Sequence, residues 1–440
     1  RAYFNISDRA LSWIFSIYVL FNLIGTPLMA KLSDQFGRRS IYVLDVTLFA
    51  LGSLLVVFSP SFPFLLAGRA IQGFGAGGIF PVASAVIGDT FPAEKRGGAL
   101  GLIGAVFGLA FIIGPILGGI ILSITTWKWL FLINLPIALT VIILSLRVLP
   151  SKRMVSKRFD WKGMIVLTVM LASLALAVNQ LDTNSFFASL VSLKVLPFLI
   201  LFTALLFVLV ALEKRSENPI ISLALFDRRQ LRLTYALSTG AGFAEAGLVF
   251  MPLLAVVSLA SSGITTANAS WMLMPVVLAM SVGSPLAGRF LDKLGSRIVI
   301  LFGTGVTMLG FILLGLFSSS MALFITAGVL IGLGLSALLG APLRYIMLNE
   351  SKLEERSVAQ GVVAVFSSTG QLLGGALTGA IAASYALTSG PAAGYSLAFL
   401  VTGMLSLLLF IIAFLLKNRT DEQATVKSNQ KTTEIDSPAA

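Results

Sequence analysis

The sequence predicts an all-α membrane protein built from two related halves. Three observations predict it. The first is composition: 57% of the residues are hydrophobic, 11% are charged and the mean hydropathy is +0.96. Soluble domains carry about 25% charged residues, and a 440-residue soluble chain could not hide this much apolar surface. The second is a series of thirteen apolar stretches of spanning or near-spanning length. They are continuous rather than alternating, which excludes a β-barrel. The third is a repeated charged turn. It reads A-K-L-S-D-Q-F-G-R-R-S from Ala30 to Ser40 and G-R-F-L-D-K-L-G-S-R-I from Gly288 to Ile298. Asp34, Gly37 and Arg39 recur at the same spacing as Asp292, Gly295 and Arg297, each set between two long apolar runs.

In chain order the first stretches are Ala10–Ala30, Ser40–Phe58, Phe62–Ile87, Gly98–Ser123, Trp129–Leu149, Gly163–Leu181 and Val195–Leu212. Leu233–Leu259, Ala269–Gly288, Arg297–Phe317, Met321–Met347, Val358–Tyr385 and Tyr395–Leu416 follow. With the Ala30–Ser40 turn on the cytosolic side, twenty-six of the 31 Lys and Arg lie on that side, Arg344 among them. Arg1, Arg9, Lys128 and Lys194 lie on the other, and Arg69 falls within a span. This is the positive-inside pattern, with the carboxyl terminus in the cytosol. It explains the net charge of +12 by topology and anionic lipid rather than by nucleic acid. All five tryptophans, Trp13, Trp127, Trp129, Trp161 and Trp271, fall near span ends, where amphipathic rings settle. The chain opens on Arg1, and an odd number of spans puts that end outside, so one helix is expected to precede it.

A second correspondence supports duplication. Arg96-Gly-Gly-Ala99-Leu-Gly101 aligns with Arg356-Ser-Val-Ala359-Gln-Gly361, and Gly114 and Gly119 then fall on Gly374 and Gly379. Four parts follow: a first bundle over 1–149, an inserted hairpin with its linkers over 150–232, a second bundle over 233–416, and a polar tail over 417–440 expected to be disordered. There is no Cys and no His, which removes thiolate and imidazole metal sites and most nucleophile–base pairs, and with them the rival reading as a membrane enzyme. Neither a metal nor a cofactor is expected.

At this point the chain resembles the major facilitator superfamily, and more narrowly its fourteen-helix drug:proton antiporter branch. The cytoplasmic-turn motif matches at Leu32, Asp34, Gly37, Arg38 and Arg39, with Ala30 in place of its leading Gly. The family's arginine motif matches as L-A-G-R-A-I-Q-G-F-G-A-G-G, with Arg69, Gln72, Gly73 and Gly75. The antiporter motif matches as A-F-I-I-G-P-I-L-G-G, with Gly114, Pro115, Gly118 and Gly119 and an Ala in its first small position. The segment R-F-D-W ending at Trp161 is also similar. The resemblance implies two six-helix bundles, the first lacking its opening helix, rocking about a central cavity. It further implies proton-driven export of an amphipathic, cationic or neutral compound by a monomer in the inner membrane, with the proton gradient as driving force. Uptake of a metabolite by symport or facilitated diffusion is the rival within transport.

The resemblance makes Asp34 a latch between the halves, with Arg96 and the start of the span after Ser357 as candidate partners. The bland alternative is a solvated loop charge. Asp292, Gly295 and Arg297 read as a degenerate mirror. Gly104 with Gly108, and Gly114 with Gly118, have the four-residue spacing that lets helices approach closely in lipid. Pro115 frees the carbonyl of Phe111 and bends its helix. Glu245 lies near the middle of a span, where an ionised group costs a few kcal/mol unless it faces water or protein. It is the candidate proton carrier, against a structural hydrogen-bonded acid. Arg69 tunes proton affinity in the family's motif, against an Arg snorkelling to the outer interface. Asp45 reads as interfacial or paired with a cytosolic Arg. Gln72, Asn134, Trp271 and Gln371 are cavity candidates, and buried amides serve equally as helix–helix glue.

Overall fold

The computed structural model describes residue 4 and residues 8–149, 159–182, 185–266 and 268–436. Side chains are described there except at 8–12, 107, 108, 111, 112, 115, 116, 119 and 429–436. The first bundle holds α1 (Asp8–Phe36), α2 (Arg38–Val57), α3 (Phe62–Thr90), α4 (Ala93–Ile124) and α5 (Trp129–Val148). The hairpin is α6 (Trp161–Asn179) and α7 (Leu196–Glu213). The second bundle holds α8 (Arg229–Ser258), α9 (Met274–Leu294), α10 (Ser296–Phe317), α11 (Met321–Leu339), α12 (Ala341–Glu350), α13 (Arg356–Ser389) and α14 (Pro391–Ala413). Twelve helices among the described residues are long and apolar enough to cross a membrane. Helix α4, 32 residues long and partly undescribed in its side chains, covers the thirteenth expected stretch without entering that count. The chain is a multi-pass membrane protein.

Both repeated turns close on a glycine that only a left-handed backbone fits. Gly37 has φ 97° between α1 and α2, and Gly295 has φ 85° between α9 and α10. A Cβ at either would be strained whatever the space around it. Two expected spans are broken. Helix α8 passes through a 3-10 turn at Leu248–Phe250 just after Glu245, where Pro252 leaves the carbonyl of Leu248 without its helical partner. The Met321–Met347 stretch breaks at Gly340, with Pro342 in the first turn of α12.

The halves meet in two equivalent crossings. Helix α4 runs along α9, and α1 runs along α13; under the repeat α4 corresponds to α13 and α1 to α9. Gly97, Gly101 and Gly288 bring α4 and α9 to backbone contact, since a Cβ on Gly101 would stand 2.8 Å from the Ser284 carbonyl. Gly288→Val should therefore push the halves apart. The expected loss is about 1–3 kcal/mol of packing, as for overfilled cores, read as a lowered melting temperature in detergent. The expected close approach through Gly114 and Gly118 is corrected: nothing lies within 4 Å of a Cβ built at either, because α4 meets α9 nearer its own amino end. Gly108, Pro115 and Gly119 lie outside the described side chains, and the α4 backbone is helical through all three.

The hairpin packs its Met164, Leu167, Leu171 and Leu209 against Leu23 of α1, with Val365 and Leu372 of α13 at the margin. Asp160 caps α6 by accepting from the Gly163 amide at 2.9 Å. The basic stretch before it, 150–158, lies outside the described residues.

The tail differs from expectation. Residues Arg419–Asp436 form a helix, α15. Asn418 caps it by accepting from the Asp421 amide at 3.0 Å, and buried Glu422 accepts from the amide and hydroxyl of Ser296 at the start of α10. Composition hid this, because the helix docks through a few polar side chains rather than an apolar face. Burial pushes the Glu422 carboxyl above its usual 4.5, outweighing the Ser296 hydrogen bonds that lower it. The docked form thus holds its proton more tightly than the free tail. Docking is favoured below the ordinary value and weakens as pH rises through the raised one. Limited proteolysis of the tail should accelerate over that rise in wild type and not in Glu422→Gln.

Candidate functional site

A cavity of about 440 Å³ lies between the halves, within the range of small-molecule sites. Helices α1, α2, α3 and α4 line it from one half, and α8, α9, α11, α12 and α13 from the other. Its charged lining residues are Glu245 of α8 and Arg344 of α12. Glu245 is half-buried and accepts a hydrogen bond from Gln371 Nε2 at 2.5 Å. Arg344 lays its guanidinium over the Phe80 ring, with Cζ 3.9 Å from the centroid. Hydroxyls and amides of Tyr18, Asn22, Thr26, Ser284 and Ser367 are among the rest of the polar lining.

At the Asp34 end, polar contacts tie one half to the other in reciprocal pairs. Asp34 accepts from the Ser357 and Val358 amides at 3.1 and 2.8 Å. Asp292 accepts from the Gly97 and Gly98 amides, both at 2.8 Å. Each acid thus reaches backbone donors near the amino end of the helix that the repeat assigns it. Charge-assisted bonds to such donors are among the stronger ones in proteins. A second pair follows the same exchange. Arg356 reaches Asp89 at 2.8 Å, and Arg96 reaches Asn349 at 2.9 Å.

The symmetry fails at one position. Buried Arg38 pairs with Asp34, bonds Asp89 at 3.0 Å and bonds Ser357 Oγ at 2.8 Å. Its counterpart under the turn repeat is Ser296, which instead holds Glu422. One latch is a relay of charges; the other is an acid on backbone amides, backed by a neutral Asn.

The Major Facilitator Superfamily model matches residues 1–263 and 241–438, nearly the whole chain. The chain belongs to the major facilitator superfamily. As a member it is a transporter rather than an enzyme. It is 33% identical over 376 residues to the MFS-type transporter YfiU of Bacillus subtilis, covering 84% of this chain and 72% of that one. It is 31% identical over 309 residues to Multidrug resistance protein 3 of the same organism, covering 69% of this chain and 58% of that one. Among solved structures it superposes on the human organic anion transporter MFSD10 (TETRAN) with a TM-score of 0.67. That likeness covers 91% of this chain and 83% of the other at 17% identity, which speaks for the fold alone.

Within this facilitator fold the residues expected at the site divide. Glu245 and Gln371 stand together in the cavity. Gln72 and Asn134 instead converge on Ser53 of α2, at 2.7 and 3.2 Å. Arg69 bonds Gln72 and the Ile14 carbonyl and stacks over Tyr18, 4.3 Å from its centroid. These three form a network that ties α1, α2, α3 and α5 together and reaches the cavity lining at Tyr18 and, through Ser53, at Phe49. Trp271 is corrected: it is 60% exposed in the 3-10 turn ahead of α9, where an interfacial tryptophan belongs. Asp34 does not bind Arg96, whose guanidinium is held by Asn349 and the Phe91 carbonyl. Arg39 and Arg297 stay part-exposed at the turns.

Asp45, expected near the interface with an Arg, is fully buried between α2 and α3, and among the described residues neither of its oxygens has a hydrogen-bond partner. Two residues went unrecognised in the sequence. Asp89 was a lone acid before a loop. Arg344 reads as a cytosolic cation because it lies near the end of an apolar run; the neighbouring Gly340 and Pro342 are the sequence sign of a helix broken at depth.

Proposed function

We propose that the chain exports amphipathic organic compounds in exchange for protons, by alternating access of the cavity between its halves. The observation that carries this reading is Glu245. It is an acid in the middle of a spanning helix that faces the cavity and is hydrogen-bonded to the neutral Gln371. A carboxyl so placed can exchange a proton with water in the cavity, and among the described residues no cation pairs with it to fix the ionised form. The two reciprocal latches support a rocking motion, because each joins the halves at one end only. The positive-inside pattern supports a cytosolic latch end and a cytosolic carboxyl terminus. The latched conformation is then the outward-facing one. The relatives' bacterial source supports the inner membrane, and a cavity completed within one chain supports a working monomer. The proton gradient supplies the driving force without a cofactor.

Everted membrane vesicles with an acid interior test the direction. Antiport accumulates an added amphipathic dye inside as protons leave. Symport would expel preloaded dye together with the protons, and that result would replace export with uptake.

A further inference from the structure

The cavity contains a feature that a binder of cationic or neutral compounds does not need. Arg344 lines its floor on α12, the short helix that starts at the Gly340 break. One terminal nitrogen of its guanidinium, Nη1, is buried without a hydrogen-bond partner among the described residues. Its neighbour is the Phe80 ring from the other half, 3.9 Å away. Among the described residues the other charged group in the lining is Glu245, which is turned toward Gln371 and forms no ion pair with Arg344. The backbone carbonyl of Arg344 is held by Gln360 Nε2 at 2.9 Å, which fixes its turn of helix.

A guanidinium held over an aromatic face still has N–H donors to offer a planar anion, and its fork matches a carboxylate or sulfonate bidentately. A buried cation with an unmet donor is costly until such an acceptor arrives. The apolar part of the surrounding wall includes Phe49, Phe80, Met280, Leu335 and Leu339. The geometry points to a substrate that carries a carboxylate or sulfonate on an apolar body, the anion on Arg344 and the body against that wall. The cation–π contact spans the halves, so the anion meets the protein at the seam between them. This rests on reading the cavity as the transport site and names its substrate class, in place of the cationic or neutral compounds expected from sequence.

The test is equilibrium binding of anilinonaphthalene sulfonate to the protein in phosphatidylcholine nanodiscs, with empty discs subtracted so that no anionic lipid competes. Ethidium serves as the cationic probe of similar bulk. Wild type should bind the sulfonate saturably, and Arg344→Gln should weaken it about ten- to hundredfold. Arg344→Lys, which keeps the charge and loses the fork, should fall between the two. Ethidium affinity should not fall in either variant. The inference is overturned if wild type shows no saturable sulfonate binding. It is also overturned if both variants bind as wild type does, or if ethidium and sulfonate weaken together. Binding needs no gradient, so sulfonate binding that depends on Arg344 without dye accumulation in acid vesicles would reject proton-driven export and leave this site standing.

Discussion

Asp34→Asn should leave a folded, membrane-inserted protein whose transport rate falls by about tenfold or more. The Asp34 carboxylate accepts two amide hydrogen bonds from the start of α13 and neutralises buried Arg38. An Asn keeps one acceptor oxygen and no charge. Losing a charge-assisted contact of this kind is worth about 1.5–3 kcal/mol, and about 1.4 kcal/mol shifts a two-state equilibrium tenfold. The latched state would be depopulated while each bundle keeps its own core, so expression and elution profile should match wild type. Asp292→Asn should act in the same direction and less strongly. Its partners are amides of α4, and no buried arginine depends on its charge. Initial rates in vesicles check both. Normal kinetics in Asp34→Asn would reduce the latch to a static surface contact.

Glu245→Gln should abolish proton-driven accumulation and spare exchange of substrate across an ungraded membrane. The substitution is close to isosteric and can keep its bond to Gln371, so the cavity shape survives. What it removes is the exchangeable proton. The rate should become flat over the pH range where wild type varies, because the group that changes charge is gone. Driven transport with the wild-type pH profile would assign the proton to another acid, and fully buried Asp45 would then be the first to examine.

The parts legible in the sequence are those where local chemistry leaves few solutions. A glycine between two apolar runs, with an Asp three residues before it, could only be a tight turn, and Gly37 and Gly295 both adopt positive φ. The repeat offset aligned Arg96 with Arg356, and each now reaches the same helix end of the opposite half. The misread parts depend on distance rather than on residue type. Arg344 resembles a loop cation until the break at Gly340 turns its helix toward the cavity. Gly114 and Gly118 carry the small-residue spacing, yet α9 crosses α4 about three turns earlier, at Gly101 and Gly104. The tail looks disordered by composition, but it docks as a helix through a few polar contacts, buried Glu422 on Ser296 and Arg419 on the Asp292 carbonyl among them.

The chain has no cysteine, so spin labels can be placed on introduced ones alone. The decisive measurement is the pair of label distances Lys95→Cys to Lys293→Cys at the latch end and Ser61→Cys to Ser319→Cys at the other end. Reciprocal latching predicts a short latch-end distance in the parent. In Asp34→Asn that distance should lengthen by several ångströms while the distance between the opposite loops shortens. Distances that stay unchanged at both ends, or that lengthen together, would contradict two bundles rocking about a shared cavity.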